Sequence, residues 1–219
     1  MSLEGKNRAI FSYNNSDKQN SNIMYKDFEK TKSYHTRFIN AQFTGTSLRA
    51  AQMKYCDFTG CVFSGSEFIG TNLRGSKFIN AKFANCIFSG LVLDKANFRG
   101  AIFSNCYMVG VSGKSAYNFP EDLSGNVVLP AMPPQDSISR ELSVVIESLR
   151  ENDYIRRSHT LHLKNGKINT LTIMILNELY SNDQLIQLLP LLPKVVSTQF
   201  YTVSHLKAYL KKAEKVDIL

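Results

Sequence analysis

From Phe38 to Met108 every fifth residue is large and apolar, fifteen positions in succession without a miss. The residue two places before each is small (Ala, Cys, Ser or Thr), with Leu91 as the one departure, and Gly or Asn follows two places after in most units, from Gly45 to Gly110. A period of five fits neither the 3.6-residue repeat of a helix nor the two-residue repeat of a strand. The pattern therefore predicts an internal-repeat architecture in which the chain turns by a fixed angle per unit. Each unit reads as a short extended side followed by a corner built on a residue that tolerates positive φ.

The number of sides per coil follows from sorting the central residues. An interval of twenty places Phe43, Phe63, Phe83 and Phe103 on one side, Phe38, Phe58, Phe78 and Phe98 on a second, and Met53, Leu73 and Leu93 on a third. An interval of fifteen mixes Phe with Leu and Met on every side, so four sides per coil is the better-ordered solution. Coils stacked at the strand spacing of about 4.8 Å form a rod on the order of 20 to 25 Å long. Upstream the phase continues through Phe28 and Ile23 and is broken at Ser33. Downstream, Gly113 and Asn118 fail, Phe119 arrives one place late, and Leu123 and Val128 return to phase, which predicts a distorted final coil reaching about Pro130. Both coil ends need covering, and the residues before Asn22 and after Gly110 are expected to supply the caps.

These readings divide the chain into residues 1–22, a polar Asn- and Ser-rich leader or N-terminal cap expected to be poorly ordered; 23–130, the coil; 131–136, a Pro-rich linker; and 137–219, a small α-helical domain. In the last, Ile138, Leu142, Val145, Ile146 and Leu149 recur at helical spacing with Asp136 or Ser137 as N-cap. Ile168–Tyr180 predicts a second helix after a Lys164–Lys167 turn, and Asn165-Gly166 there suits a short hairpin. Ser181 or Asn182 would cap a third helix ending before Pro190, and Val196 to Leu210 marks a last one.

The units CDFTG at Cys56, TNLRG at Thr71 and ANFRG at Ala96 resemble the pentapeptide-repeat family. That resemblance implies a right-handed quadrilateral β-helix, the fold class expected here, followed by the small α-helical C-terminal domain. The family's best-known members protect gyrase by imitating duplex DNA in shape and negative charge. Within residues 36–110 of this chain, Lys and Arg outnumber Asp and Glu eight to three, and the whole chain carries a net charge of +8. A basic rod does not imitate a polyanion, so the resemblance supports the fold while the charge opposes that role.

Candidate chemistry is sparse. Cys56, Cys61, Cys86 and Cys106 contain no CxxC pair and take the small inward slot, where a thiol is a core filler; Cys86 and Cys106 stack one coil apart, within Cα range of a disulfide. His159 and His162 would share a face on a helix, but no Cys, Asp or Glu completes a metal site at recognisable spacing. No P-loop, GxSxG, HExxH or dinucleotide fingerprint is present. No catalytic residue, metal or cofactor is expected, and the chain is read as not an enzyme. No apolar run reaches the roughly 18 to 20 residues of a membrane span.

The outward positions are more informative. Val62, Ile69, Ile87, Val92, Ile102, Tyr107 and Val109 flank the central residues and fall mostly on two adjoining sides toward the C-terminal end of the rod. They form the candidate interaction patch, to be covered either by the helical domain or by a dimer or other partner. The function expected is a non-catalytic bacterial scaffold for protein-protein interaction, with an unknown protein partner or a homodimer, and nucleic acid as a weaker alternative suggested by the charge. The competing readings are a type III-like secreted effector and topoisomerase protection. Some such effectors that resemble this chain carry a HECT-like ubiquitin ligase module, whose catalytic Cys has no counterpart after Cys106. The expected location is the bacterial cytoplasm, or a host cell if the leader directs secretion.

Overall fold

The computed structural model describes residues 12–163 and 166–216 and divides the chain into two compact units, Met1–Pro130 and Ala131–Leu219. In the first, three-residue strands lie at the centre of their repeats: β1 (Gln42–Thr44), β2 (Val62–Ser64), β3 (Glu67–Ile69), β4 (Lys82–Ala84), β5 (Ile87–Ser89), β6 (Ile102–Ser104), β7 (Tyr107–Val109) and β8 (Val127–Leu129). They form two parallel sheets, β1-β2-β4-β6 and β3-β5-β7-β8. The register is twenty residues throughout, as in Phe43↔Phe63, Phe63↔Phe83 and Phe83↔Phe103. The other two sides are ladders of single parallel bridges, Lys32↔Gln52↔Asn72↔Val92 and Asp17↔Arg37↔Asp57↔Lys77↔Asn97. Four sides per coil is thus the observed geometry, a quadrilateral β-solenoid.

Inside, the central rings stack at the rise of the coil. Phe38, Phe58, Phe78 and Phe98 form one column with centroids 5.1, 4.9 and 4.9 Å apart and planes within 7° of parallel. Phe43, Phe63, Phe83 and Phe103 form a second at 4.7, 4.9 and 4.6 Å. Neighbouring columns meet edge to face, as Phe63 does with Phe68 at 5.1 Å, so both favoured aromatic geometries are used at once. The small slot does more than leave room. Thr46, Ser66, Thr71 and Ser76 each donate a hydroxyl hydrogen bond of 2.6 to 2.9 Å to the carbonyl of the central residue twenty-three positions earlier, and Cys61 donates its thiol to the Phe38 carbonyl in the same way. A buried hydroxyl there is satisfied without a side-chain partner, which is why Ser, Thr, Cys and Ala interchange.

From Asn15 to Gly110 the corner residue has positive φ in every unit, whether it is Gly, Asn or a residue as unsuited as Tyr55 (φ 58) or Lys95 (φ 57). The coil imposes the corner; Gly and Asn only lower its cost. At Gly60 the reason is also space, because a Cβ there would sit 2.2 Å from Oδ1 of Asn40, whose side chain lies over it.

The ends of the coil correct the sequence reading. Residues 12–22, expected as leader or cap, already follow the ladder through Ser12↔Lys32, Asp17↔Arg37 and Asn22↔Gln42; residues 1–11 lie outside the described residues. Ser33, which breaks the apolar phase, is fully buried. The ring of Tyr13, in the coil before it, lies 6.1 Å from both Phe28 and Phe38 and supplies the missing bulk. At the other end Phe119 compensates for Gly113: the ring carbons lie 2.4 to 2.5 Å from where a Gly113 Cβ would be, and the ring meets Phe98 edge-on at 5.1 Å. The final coil to Pro130 is present, with β8 in register beside β7.

The second unit contains α1 (Arg140–Ser148), α2 (Asp153–Ser158), α3 (Thr170–Leu176), α4 (Asn182–Leu188), α5 (Leu192–Val195) and α6 (Val203–Val216). Its core gathers Leu142, Ile146, Ile155, Leu161, Leu176, Leu185, Leu189, Leu206 and Leu210. Ser139, rather than Asp136 or Ser137, caps α1, while Ser181 caps α4 in a full capping box with Gln184. The helix expected from Val196 begins only at Val203, and Val196 and Phe200 are buried from an extended segment before it. The expected turn between Leu163 and Ile168 closes as an antiparallel bridge, His162↔Ile168, with residues 164–165 outside the described part.

Candidate interaction surfaces of the coil

Sorting outward side chains by the same interval of twenty turns each side of the coil into columns at strand spacing. On the β1-β2-β4-β6 side the column before the central Phe residues runs Gln42, Val62, Lys82, Ile102. Val62 is 41% and Ile102 58% exposed, and Lys82 stands between them in the register. The column after the centre holds Thr44, Ser64, Ala84 and Ser104, all short, so this side is flat.

The seven residues of the candidate patch lie on three sides and differ in exposure. Ile87, Tyr107 and Val109, on the β3-β5-β7-β8 side, are buried at 8% exposure or less, and Ile69 beside them is partly buried. On the same side Glu67 is buried with Arg49 3.4 Å away. Val92 is exposed on a third side, in the ladder with Asn72. Of the seven residues, Val62, Val92 and Ile102 are therefore the exposed ones.

The side carrying Gln52, Asn72 and Val92, with the corner that follows it, holds an arrangement the sequence reading missed. Lys32, Lys54, Arg74, Lys95 and Lys114 occupy five successive coils there, one cation per coil. Arg74 pairs with Asp94 at 2.7 Å, and the guanidinium holds that carboxyl below the usual carboxylate range. Among the described residues Lys32, Lys54, Lys95 and Lys114 stand in no ion pair. Aromatic rings are interleaved with them. The exposed rings of His35 and Tyr55 stack at 5.2 Å with an 8° interplanar angle, and Lys54 lies over the Tyr34 ring at 5.7 Å. Gly75 makes room for this: a Cβ there would meet the Tyr55 ring at 2.4 Å. The legible signal was the spacing of 35, 55 and 75, the corner interval of the coil.

The groups singled out for chemistry are dispersed. His159 ends α2 in a left-handed conformation (φ 56), and His162 sits on the bridge beyond it, so no helix presents the two on one face. The His162 Nε2 is 2.8 Å from the Ile146 carbonyl, its Nδ1 has no partner, and burial pushes its pKa down. Among the described residues no three His, Cys, Asp or Glu side chains are grouped to hold a metal ion. The four cysteines are buried and free; burial pushes the Cys56 and Cys61 thiols up to about 12 and raises that of Cys86 as well. No helix among the described residues is long and apolar enough to cross a membrane.

Comparison with known proteins agrees with this architecture. The family model for pentapeptide repeats matches residues 34–65, 41–78 and 66–105, with eight copies of the repeat. Among solved structures, a pentapeptide repeat protein from the Arabidopsis thaliana thylakoid lumen is 17% identical, with 46% of this chain and 67% of that one covered and a TM-score of 0.35. QnrB1, a plasmid-mediated fluoroquinolone resistance protein, is 18% identical over 63% of this chain and 84% of its own, with a TM-score of 0.32. HetL, a pentapeptide repeat protein involved in heterocyst differentiation regulation from the cyanobacterium Nostoc sp. strain PCC 7120, is 15% identical, covering 48% and 50%, with a TM-score of 0.20. No curated protein matches the chain.

Proposed function

We propose that the chain, whose residues 34–105 match the family model for pentapeptide repeats, is a non-catalytic scaffold whose coil binds a protein partner through the flat β1-β2-β4-β6 side. The observation that carries this reading is the exposure of Val62 and Ile102 in one column with Gln42 and Lys82, beside a second column of short residues. A parallel ladder of four strands holds these side chains at fixed spacing, so a partner meets a preorganised surface and little of its binding energy is lost to ordering the scaffold. The two exposed apolar side chains are anchors, and Lys82 between them sets register with an acidic or polar group opposite.

The test places a photo-crosslinking amino acid at position 62, at 102 and, as a control, at 99, in the full-length chain in its own cells. One protein crosslinked from 62 and 102 but not 99, and lost in a Val62→Glu/Ile102→Glu variant that keeps its far-UV circular dichroism, supports the reading. Equal crosslinking from all three positions, or none, removes it. If the species captured is the chain itself, the partner is a second copy, which light scattering of the purified protein checks. Topoisomerase protection is opposed by the excess of Lys and Arg over Asp and Glu on the coil; a gyrase supercoiling assay with fluoroquinolone, showing no protection at micromolar protein, disposes of it. For the secreted-effector alternative, fusion of residues 1–22 to a reporter with no type III-dependent export is the excluding result.

A further inference from the structure

We propose that the corner following the Gln52-Asn72-Val92 side is a binding strip for single-stranded nucleic acid, with phosphates neutralised by Lys32, Lys54, Arg74, Lys95 and Lys114 and bases stacking on Tyr55 and His35. This site is separate from the flat β1-β2-β4-β6 side and does not depend on it.

The first observation is periodic charge. One cation per coil for five coils, at about 4.8 Å per step, gives a linear array on the order of 20 Å long, the form that tracks a polyanion's backbone. The acidic residue on this side, Asp94, is bound to Arg74 at 2.7 Å and also feels the charge of Lys95, while Lys32, Lys54 and Lys114 stand in no ion pair among the described residues. Elsewhere on the coil several cations are offset, Arg37 and Lys77 by Asp17 and Asp57 along the next side, at 3.3 and 4.0 Å, and Arg49 by Glu67; Lys82 and Arg99 stand singly, with no second cation in their columns.

The second observation selects the class of polyanion. Tyr55 is 50% exposed and its ring is parallel to His35 in the coil before it. Across the corner from Tyr55 the next coil carries Gly75, and the ring occupies the space that a Cβ there would need, 2.4 Å from its position. A half-exposed ring held by a stack and by bare backbone loses little freedom when a planar ligand adds to it. Bases of a single strand present such planes beside their phosphates; a duplex keeps its bases stacked inside, and an acidic polypeptide has no planes at the spacing of its charges. Charge alone would suit all three, and the aromatic pair favours the single strand.

The test uses the full-length chain and fluorescence anisotropy with a labelled oligothymidine about 20 nucleotides long, a duplex of the same length, and poly-glutamate as competitor. Lys54→Glu/Lys95→Glu reverses charge at one half-buried and one exposed position. Tyr55→Asn removes the ring while leaving a residue suited to the positive φ, and reproduces the Asn40-over-Gly60 packing already present in the coil. Arg99→Glu, at an exposed position outside both surfaces, is the control for net charge. The expected results are binding of the single strand that weakens with salt at a log-log slope of about −3 to −4, if all five cations each displace a counterion. Lys54→Glu/Lys95→Glu should abolish binding, Tyr55→Asn should weaken it about five-fold or more, and Arg99→Glu should leave it near the unsubstituted value. Absence of binding at low salt overturns the proposal, as does loss with Arg99→Glu equal to that at the strip. Duplex bound as tightly as the single strand, or poly-glutamate displacing it at equal charge, with Tyr55→Asn unaffected in either case, overturns it in favour of a nonspecific anion surface or an acidic protein partner.

Discussion

Replacing Gly113 by Ala adds a single methyl group, and the structure sets its cost. Gly113 does not have positive φ, so the change carries no backbone strain, and stiffening the unfolded chain contributes about 0.4 to 1 kcal/mol of stability. Against this, the new Cβ would lie 2.4, 2.5 and 2.8 Å from Cδ1, Cγ and Cβ of Phe119. The last of these is the root of the side chain, so a swing of the ring does not relieve the clash and the backbone at 119 must move. Overpacking of this kind costs about 1 to 3 kcal/mol, which leaves a net destabilisation of roughly 1 to 2 kcal/mol. Because coils interact mainly with their neighbours, the loss should appear in the last coil: amide exchange accelerates over residues 111–129 and is unchanged over 56–90. In a Phe119→Gly background all three of these atoms are gone and the same substitution has room, so its cost should vanish or turn into a small gain, a coupling of about 1 to 3 kcal/mol in the double-mutant cycle. Denaturant unfolding with peptide-resolved hydrogen exchange measures both. A Gly113→Ala protein as stable as the parent, or an equal cost in both backgrounds, refutes the idea that Phe119 substitutes for the missing central residue.

Three further outcomes follow from the core and the helical unit. Phe63→Ala removes a fully buried ring stacked at 4.7 Å on Phe43 and 4.9 Å on Phe83 and should cost about 3 to 5 kcal/mol; a smaller loss than Phe103→Ala, at the partly exposed end of the same column, would contradict this. The thiols of Cys56, Cys61 and Cys86, raised by burial, should not react with a disulfide reagent at mildly alkaline pH until guanidinium unfolds the chain; rapid native labelling of one of them counts against the buried slot. The pKa of His162 is lowered by burial, so its neutral form is favoured in the fold: the stability this gives is complete above the unfolded value near 6.5 and is lost as pH falls through the lower folded value. Unfolding midpoints of the helical unit should therefore drop below neutral pH, with a slope of at most about 1.4 kcal/mol per pH unit from this group. His205, also lowered by burial, adds in the same direction, so His162→Asn should reduce the slope without removing it; an unchanged slope refutes the role of His162.

The coil was legible because one residue in five is forced. Phe38, Phe58, Phe78 and Phe98 stack on their own counterparts twenty residues away, so the interval that orders them in the sequence is the one that orders them in space. The helical unit was less legible at its boundaries, since capping is decided locally: Ser139, Asn152 and Ser181 all cap helices, and Ser137 is as good a cap in sequence but lies in a 3₁₀ turn. Val196 and Phe200 have helical spacing to Leu206 yet are buried from an extended segment, because apolar side chains three or four apart also reach a core from a chain that bends into it.

The errors at the ends of the coil have a common cause. Reading each unit by its own central residue treats the repeats as independent, whereas a core position is completed by neighbouring units, in the next coil or in the next repeat. Ser33 looks like a break until Tyr13 is placed beside Phe28 and Phe38, and Gly113 looks like a stop until Phe119 is placed over it. The same holds outside: Tyr55 is an isolated tyrosine in the sequence, and only the interval of twenty sets it between His35 and Gly75. On the outside, the two adjoining sides that carry most of the seven candidate residues differ in exposure: Val62 and Ile102 are open, with a lysine between them in the column, whereas Ile87, Tyr107 and Val109 are buried. In a solenoid the inward positions specify the fold with little regard to what the columns outside contain, so binding specificity resides in residue identities one coil apart, and a substitution there should be judged against its neighbours at plus and minus twenty before its neighbours in the chain.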